Sequence, residues 1–431
     1  MATNIYVSYF NTFGIKSTTK NWHIEESRIR GGFNETSMNL GVRAYTVDED
    51  YGKELRSNAL IYSGIYNSTT GVNNTNVFSI AESITKAVDS SYGPINKIFA
   101  DETNLLIIQE DKTQYALIDK DAIFSAEGGG SVTSSNVVIG QVVPYNGLYG
   151  TADPDSFVNY GGRSYWADRN RGAVLRLTRD GITEISNYGM RDFFRDNLKI
   201  SSNIVGSYDS YNKKYVISLQ EGVTSNLDGS NKSYFTLTYD EMNRGWVSFQ
   251  TFKPAYGGSL NGVYYTLKKK EGADYEDAKL YKHHADNSGA NSYNSFYGAT
   301  PVNSTVTFIV NEQPSTYKSF KSIFYEGDNT WKLSLANTDV DEAYSIDSYK
   351  SIANPGDADS LLFDNKFIKQ DSKYYAWLKN NSAQEDYELI FGEQISGVKG
   401  HFLKIKMELD SENHSKKEEL FSVGINLDLI R

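Results

Sequence analysis

With 54 Asp and Glu against 43 Lys and Arg, the 431-residue chain carries a formal charge of −11, the wrong sign for a broad surface that grips nucleic-acid phosphates by releasing their counterions. It contains no cysteine, which excludes disulfides, zinc–thiolate sites, iron–sulfur clusters and thiol nucleophiles together. Its 32 Tyr and 21 Phe stand against only 7 Pro and 5 Met, a balance that suits pleated, half-buried surfaces. The length admits two or three ordinary domains or one large β architecture. No apolar run reaches the roughly 18 residues of a membrane helix. The opening MATNIYVSYFNTFGIKS lacks a basic region followed by an apolar core. The expectation is a soluble protein without a cleaved signal or membrane insertion.

In chain order, residues 1–55 read as an N-terminal arm or domain-entry segment. The stretch Arg56–Phe78 joins strand-forming ALIYSGIY to turn-rich NSTTGVNNTN, and Ala81–Val88 carries a weak helical pattern. NLLIIQEDKTQYALID (Asn104–Asp119) reads as a hairpin. Gly128–Gly129–Gly130 lacks the Lys-Ser/Thr of a phosphate loop and reads as a flexible linker between strands. In YWADRNRGAVLRLTRDGITEIS, Tyr165–Ala167 and Ala173–Thr178 predict strands around a tight turn, and Arg179–Asp180–Gly181 leads into a third. Met190–Leu198 predicts a two-turn helix, with Met190, Phe193, Phe194 and Leu198 at spacings of three and four. SYDSYNKKYVISL (Ser207–Leu219) and FTLTYDEMNRGWVSF (Phe235–Phe249) read as further hairpins, and Val398–Asp410 and Leu420–Leu429 alternate as two late strands.

Three turns resemble one another: Asp168–Gly172, Asp209–Lys214 and Asp240–Gly245, each an acid followed by Asn and a basic residue. Asp and Asn side chains bond the backbone two residues on, and Asn and Gly tolerate positive φ, so these acids read as turn residues before catalytic ones. Their first acids are spaced by 41 and 31 residues, close to one propeller blade. The fold class expected is all-β, a β-propeller-like architecture of repeated antiparallel meanders with few short helices. It would occupy residues 56–431, with 301–431 able to form a distinct closing β module. Propellers close by pairing early strands with late ones, so contact is expected between the early Ser57–Phe78 and the late Val398–Asp410 and Leu420–Leu429.

His283–His284 with Asp286 offers metal-ligand types without a third ligand in a recognisable motif. Gly327–Asp328–Asn329–Thr330–Trp331 resembles the end of a sialidase Asp-box, but Phe324, Tyr325 and Glu326 stand where the preceding Ser-x-Asp belongs. No GxSxG or HExxH occurs. No residue is assigned a catalytic, cofactor-binding or metal role, and no cofactor is expected. The remaining enzyme alternative is a glycan-cleaving propeller built on paired carboxylates or a Tyr nucleophile.

The runs Ser91–Gly150 and Asp155–Phe194 resemble the propeller-bearing tail proteins of short-tailed bacteriophages, especially the crAss-like phages, known as muzzle, nozzle or tail stabilisation proteins. So do RSNALIYSGIYNSTTGVNNTNVF (Arg56–Phe78), YDEMNRGWVSFQTFKP (Tyr239–Pro254), VKGHFLKIKMELD (Val398–Asp410) and LFSVGINLDL (Leu420–Leu429). The similarity spans roughly residues 25–430, as many blade phrases and no catalytic signature. Met1–Lys20 lies outside it, and crAss-like relatives can be much longer. The resemblance implies a non-enzymatic structural subunit that closes the distal tail channel and opens for genome ejection. It would sit in a homo-oligomeric ring, a hexamer with a dodecamer as the alternative. The ring would contact other tail and portal-proximal proteins and let DNA pass without sequence-specific binding. Such a virion tail protein is assembled in the host bacterial cytoplasm, consistent with a chain free of cysteine. The alternative function is a glycan-binding or glycan-cleaving propeller on the phage tail.

Overall fold

A computed structural model describes residues 56–285 apart from 65, 74, 76, 80–83, 102–103, 125–129, 224–231 and 269–278. It also describes 293–298, 301–349, 365–381, 397–409 and 416–430, and three short strands, Gly14–Lys16, Trp22–Ile24 and Arg28–Arg30. The chain divides into two compact units, Met1–His284 and Ala285–Arg431. Both are all-β, built from small, mainly antiparallel sheets.

In the first unit three four-stranded meanders follow one another. The first holds Ile95–Asp101, Asn104–Gln109, Thr113–Phe124 and Gly130–Pro144. The second holds Val158–Tyr160, Arg163–Asp168, Ala173–Thr178 and Gly181–Glu184. Asn203–Asp209, Lys214–Val223, Lys232–Asp240 and Gly245–Gln250 form the third. A fourth sheet has three strands, Pro254–Leu260, Val263–Lys268 and Leu280–Lys282. Within these four sheets, neighbours in space are neighbours in sequence, as short turns between alternating strands dictate.

The second sheet is buried on both faces. Tyr165, Ala167 and Val174 pack with Ile204, Tyr215, Ile217 and Leu237 of the third sheet. Trp166, Ala173, Leu175 and Leu177 pack with Leu106 and Ile108 of the first. A strand sandwiched in this way needs apolar residues at successive positions, which is why YWA and AVL stand as unbroken runs. The first sheet in turn sets Ile107, Ala116 and Ile139 against Val88, Leu60 and Tyr62. The predicted helix is present as Arg191–Ile200 with Met190 as its N-cap residue, and it buries Phe194 and Leu198 in the core shared by the second and third sheets.

Sheets this close leave no room for side chains at some crossings. A Cβ on Gly206 would stand 2.1 Å from the Ser156 carbonyl oxygen, and one on Gly150 would stand 2.1 Å from that of Glu110.

Several expectations are corrected. Thr85–Ala87, inside the segment read as helical, is a strand paired with Ala59–Ile61, and residues 81–83 lie outside the described residues. The three Asp turns all join adjacent antiparallel strands, but not equivalent ones. Asp168 lies between the second and third strands of its sheet, whereas Asp209 and Asp240 follow the first and third strands of one sheet. Their spacing is therefore a property of hairpins, and the sheets themselves begin at Ile95, Val158, Asn203 and Pro254. Ala59–Ile61 pairs with Thr85–Ala87, and Leu420–Leu429 pairs with Lys318–Gly327. The late segment Val398–Asp410 is two strands, Val398–Gly400 and Leu403–Leu409, broken at His401.

The described residues of the second unit form two sheets around one core. Leu403–Leu409 lies between Thr305–Val310 and Trp331–Asn337. Lys318–Gly327 pairs along one edge with Lys373–Trp377 and Val398–Gly400, and along the other with Leu420–Leu429. Ile368–Gln370 pairs with Lys373–Trp377. Phe320, Ile323, Tyr325 and Tyr374 from one sheet meet Trp331, Leu333, Ile405 and Met407 from the other.

The close sheet crossing predicts that Gly206→Ala lowers unfolding stability by about 2–4 kcal/mol. Gly258→Ala, where a Cβ meets nothing within 4 Å, changes it by less than about 0.5 kcal/mol. Urea denaturation of the two variants checks this, and equal losses would contradict it.

Candidate functional site

The acids singled out in the sequence are bound into their turns. Asp168 Oδ1 accepts the Arg171 amide at 3.0 Å, Asp209 Oδ1 accepts those of Tyr211 and Asn212 at 3.0 and 3.2 Å, and Asp240 Oδ1 accepts that of Met242 at 2.8 Å. Asn212 and Asn243 donate their side-chain amides to Asp209 and Asp240 at 2.9 and 3.0 Å. The positive φ expected of Asn or Gly falls on the fifth residue of each turn, Gly172 (68°), Lys213 (56°) and Arg244 (47°).

The same turns also tie sheet to sheet. Glu241, in the turn after Asp240, accepts the Tyr165 hydroxyl and an Arg176 guanidinium N–H of the second sheet, each at 2.7 Å. Asp209 pairs with His284, which follows the fourth sheet, at 2.8 Å. Asp168 Oδ2 accepts the Gly150 amide at 3.1 Å, from the link between the first and second sheets. Trp166 donates to the Gly150 carbonyl, Trp246 to that of Ile185, and Tyr215 to that of Ser156. These bonds satisfy buried polar groups where two sheets meet, although Arg176 Nε and the Tyr239 hydroxyl are buried without a partner.

Burial raises the Asp168 carboxyl above the usual range against the pull of the Gly150 and Arg171 amides. At Asp209 burial is the largest single influence and pushes upward, but His284 and Asn212 together outweigh it and hold the carboxyl low. Burial first, and the Glu241 bond second, push Tyr165 well above the ordinary phenol range; burial takes Tyr239 up to about 12.

Tyr165 bonded to Glu241 is the pairing that a tyrosine nucleophile would use. Its ring is 1% exposed and packed between Tyr208 and Tyr215, at centroid distances of 6.2 and 4.8 Å. A neutral, enclosed phenol gives a substrate no approach, so here the pair is a joint.

His284 bonds Asp209 and stacks on Tyr211 at 4.6 Å, while His283 is buried against Thr266 (2.6 Å), Phe252 and Tyr264. Asp286 lies outside the described residues, and among the described residues no group of three metal-ligating side chains occurs. Gly130 opens a strand that pairs with Phe124; Gly128 and Gly129 lie outside the described residues. The Asp-box-like run forms a clasp. Asp328 Oδ2 accepts the Glu419 amide at 2.6 Å, and the Glu419 carbonyl accepts the Asp328 amide and the Trp331 indole N–H.

A cavity of about 340 Å³ is lined by Arg171, Arg191, Arg195 and Glu184 among others. Arg195 is held by Asp192 and Asp196, both at 2.8 Å, and Glu184 accepts from Tyr149 and Asn187, so much of its charge is met by neighbours. Sequence reasoning missed Glu241 and Arg176 because they meet across 65 residues; the one signal was a second acid beside Asp240.

Burial holds the His283 imidazole down at about 4, helped by the charge of His284. The unfolded chain protonates this residue near the ordinary value of about 6.5. Its contribution to stability is thus complete above about 6.5 and is lost as pH falls from there towards 4. We expect the first unit to lose about 1–3 kcal/mol over that window, and His283→Gln to lose measurably less. Parallel melting curves at stepped pH check this, and identical slopes would contradict it.

Two solved structures of an exo-β-1,3-galactanase from Phanerochaete chrysosporium, one with β-1,3-galactotriose and one with galactose, align with 86% of this chain and 100% of theirs. Identities of 8% and 9% and a TM-score of 0.19 in both cases carry no argument about fold or activity. No curated protein matches the chain. Residues 291–381, within the second unit, match the family model of the crassvirus muzzle protein C-terminal domain. That match supports a crassvirus muzzle protein and, with it, a component of the phage virion tail.

Proposed function

We propose that the protein is the nozzle subunit of a short phage tail, closing the distal channel and opening for genome ejection. The observation that carries this reading is the muzzle C-terminal domain at residues 291–381. The meanders of the first unit serve as blades of a propeller-like body, which docks into a homo-oligomeric ring. A ring coaxial with a portal favours six copies, with twelve as the competing order, because heterologous contacts close on themselves in such symmetries. Other tail and portal-proximal proteins meet its outer wall.

The ring needs no catalytic centre. Asp168, Asp209 and Glu241 are occupied in turn and inter-sheet bonds, which supports a mechanical role over a hydrolytic one. An excess of 11 negative charges suits a channel through which DNA must slide, since acids on the inner wall form none of the phosphate contacts that would arrest it. Assembly in the host bacterial cytoplasm, without membrane insertion, fits a chain without cysteine. Among the described residues no helix is long and apolar enough to cross a membrane.

Reconstruction of the assembled virion tests this. Six or twelve copies on the tail axis, with Asp and Glu enriched on the inner wall, are expected. Peripheral monomers, or a channel lined mainly by Lys and Arg, would overturn the reading.

A further inference from the structure

We propose that the outer face of the sheet built on Lys318–Gly327, in the second unit, is a binding platform for a neutral glycan. The inference goes beyond the tail-subunit reading and rests on strand register. Ser322 stands opposite Trp377 and Asn426, Phe324 opposite Tyr375 and Gly424, and Ile368 opposite Tyr375. The alternate positions, Ile323, Tyr325, Tyr374 and Ala376, point into the core. The outward residues therefore form rows. An apolar row runs through Ile368, Tyr375 and Phe324, with Trp377 beside it two residues along the strand from Tyr375.

Nothing in the core requires these side chains. Trp377 is 59% exposed and Ile368 51%, although a solvent-facing strand position is ordinarily polar. Gly424 keeps the row flat, because a Cβ there would stand 2.2 Å from the Phe324 ring. Phe324 and Tyr375 lie with ring centroids 5.5 Å apart, and the Lys373 ammonium sits 5.2 Å over Phe324, leaving Trp377 as the open ring with the half-buried Tyr375 beside it. They are about 7 Å apart along the strand, side by side on one face.

Polar groups flank the apolar row on both sides. Asn426 donates to Ser322 at 2.8 Å beside Trp377, and Lys373 pairs with Glu326 at 2.8 Å beside Phe324, with Gln370 opposite Lys373. The row crosses three strands, about 10 Å. A stable protein interface needs on the order of 800 Å² per partner around a desolvated core, which a strip this narrow, edged by an ion pair, does not supply. A sugar chain fits better: its C–H faces lie on aromatic rings while its hydroxyls reach the polar rows. The Lys373–Glu326 pair cancels locally, and the chain's charge of −11 disfavours an anionic polymer.

The test is affinity electrophoresis of the full chain through gels containing neutral glucans, mannans or xylans, with Trp377→Ala, Tyr375→Ala and Met242→Ala. Met242 is 90% exposed in the first unit and serves as the control. We expect at least one neutral polymer to retard the native protein and Met242→Ala equally, with Trp377→Ala and Tyr375→Ala weakening retention tenfold or more. The proposal is overturned if no neutral polymer retards the protein, if Trp377→Ala is retained like the native chain, if only anionic polymers act, or if a protein neighbour covers Trp377 in the virion. Failure here leaves the tail-subunit reading standing, since that is decided by where the protein sits in the particle.

Discussion

The second sheet of the first unit is apolar on both faces, and the surrounding architecture follows from that constraint. A side chain such as Trp166 or Val174 stabilises the fold by about 1.5–3 kcal/mol only if water is excluded from both sides. Neighbouring sheets must therefore close on it, as the paired cores around Trp166 and Tyr165 show. Closure traps hydroxyls, indole N–H groups and guanidinium groups at the seams, and each would cost roughly 1–3 kcal/mol if left unbonded. Glu241 answers that demand for the Tyr165 hydroxyl and the Arg176 guanidinium, while Asp168 and Asp209 bond the Gly150 amide and His284 across neighbouring segments.

What was legible in the sequence was local. The Asp-led turns were visible because the acid, the Asn and the positive-φ residue that make each hairpin lie within five positions, as at Asp209–Lys213. The helix was visible because Phe194 and Leu198 mark one buried stripe. Thr85–Ala87 misled because a three-residue strand has too few positions to separate a two-residue period from a helical one. The Asp turns misled as a repeat because hairpin chemistry recurs wherever strands turn, not once per sheet. The Tyr165–Glu241 joint was hidden because its members are 76 residues apart and neither is unusual alone.

The two units divide the work differently. The first is held by apolar faces and buried polar seams, with Asp168, Asp209 and Glu241 committed to structure. The second contains the segment that matches the crassvirus muzzle protein C-terminal domain and keeps an aromatic row outside its core.

The central claim, that turn carboxylates act as joints between sheets, is tested most directly by a double-mutant cycle on Tyr165→Phe and Glu241→Gln, read by urea denaturation at neutral pH. The account predicts a coupling energy of about 1–3 kcal/mol between the two positions. Losses that add to within about 0.5 kcal/mol would show that the bond holds nothing together and would contradict it.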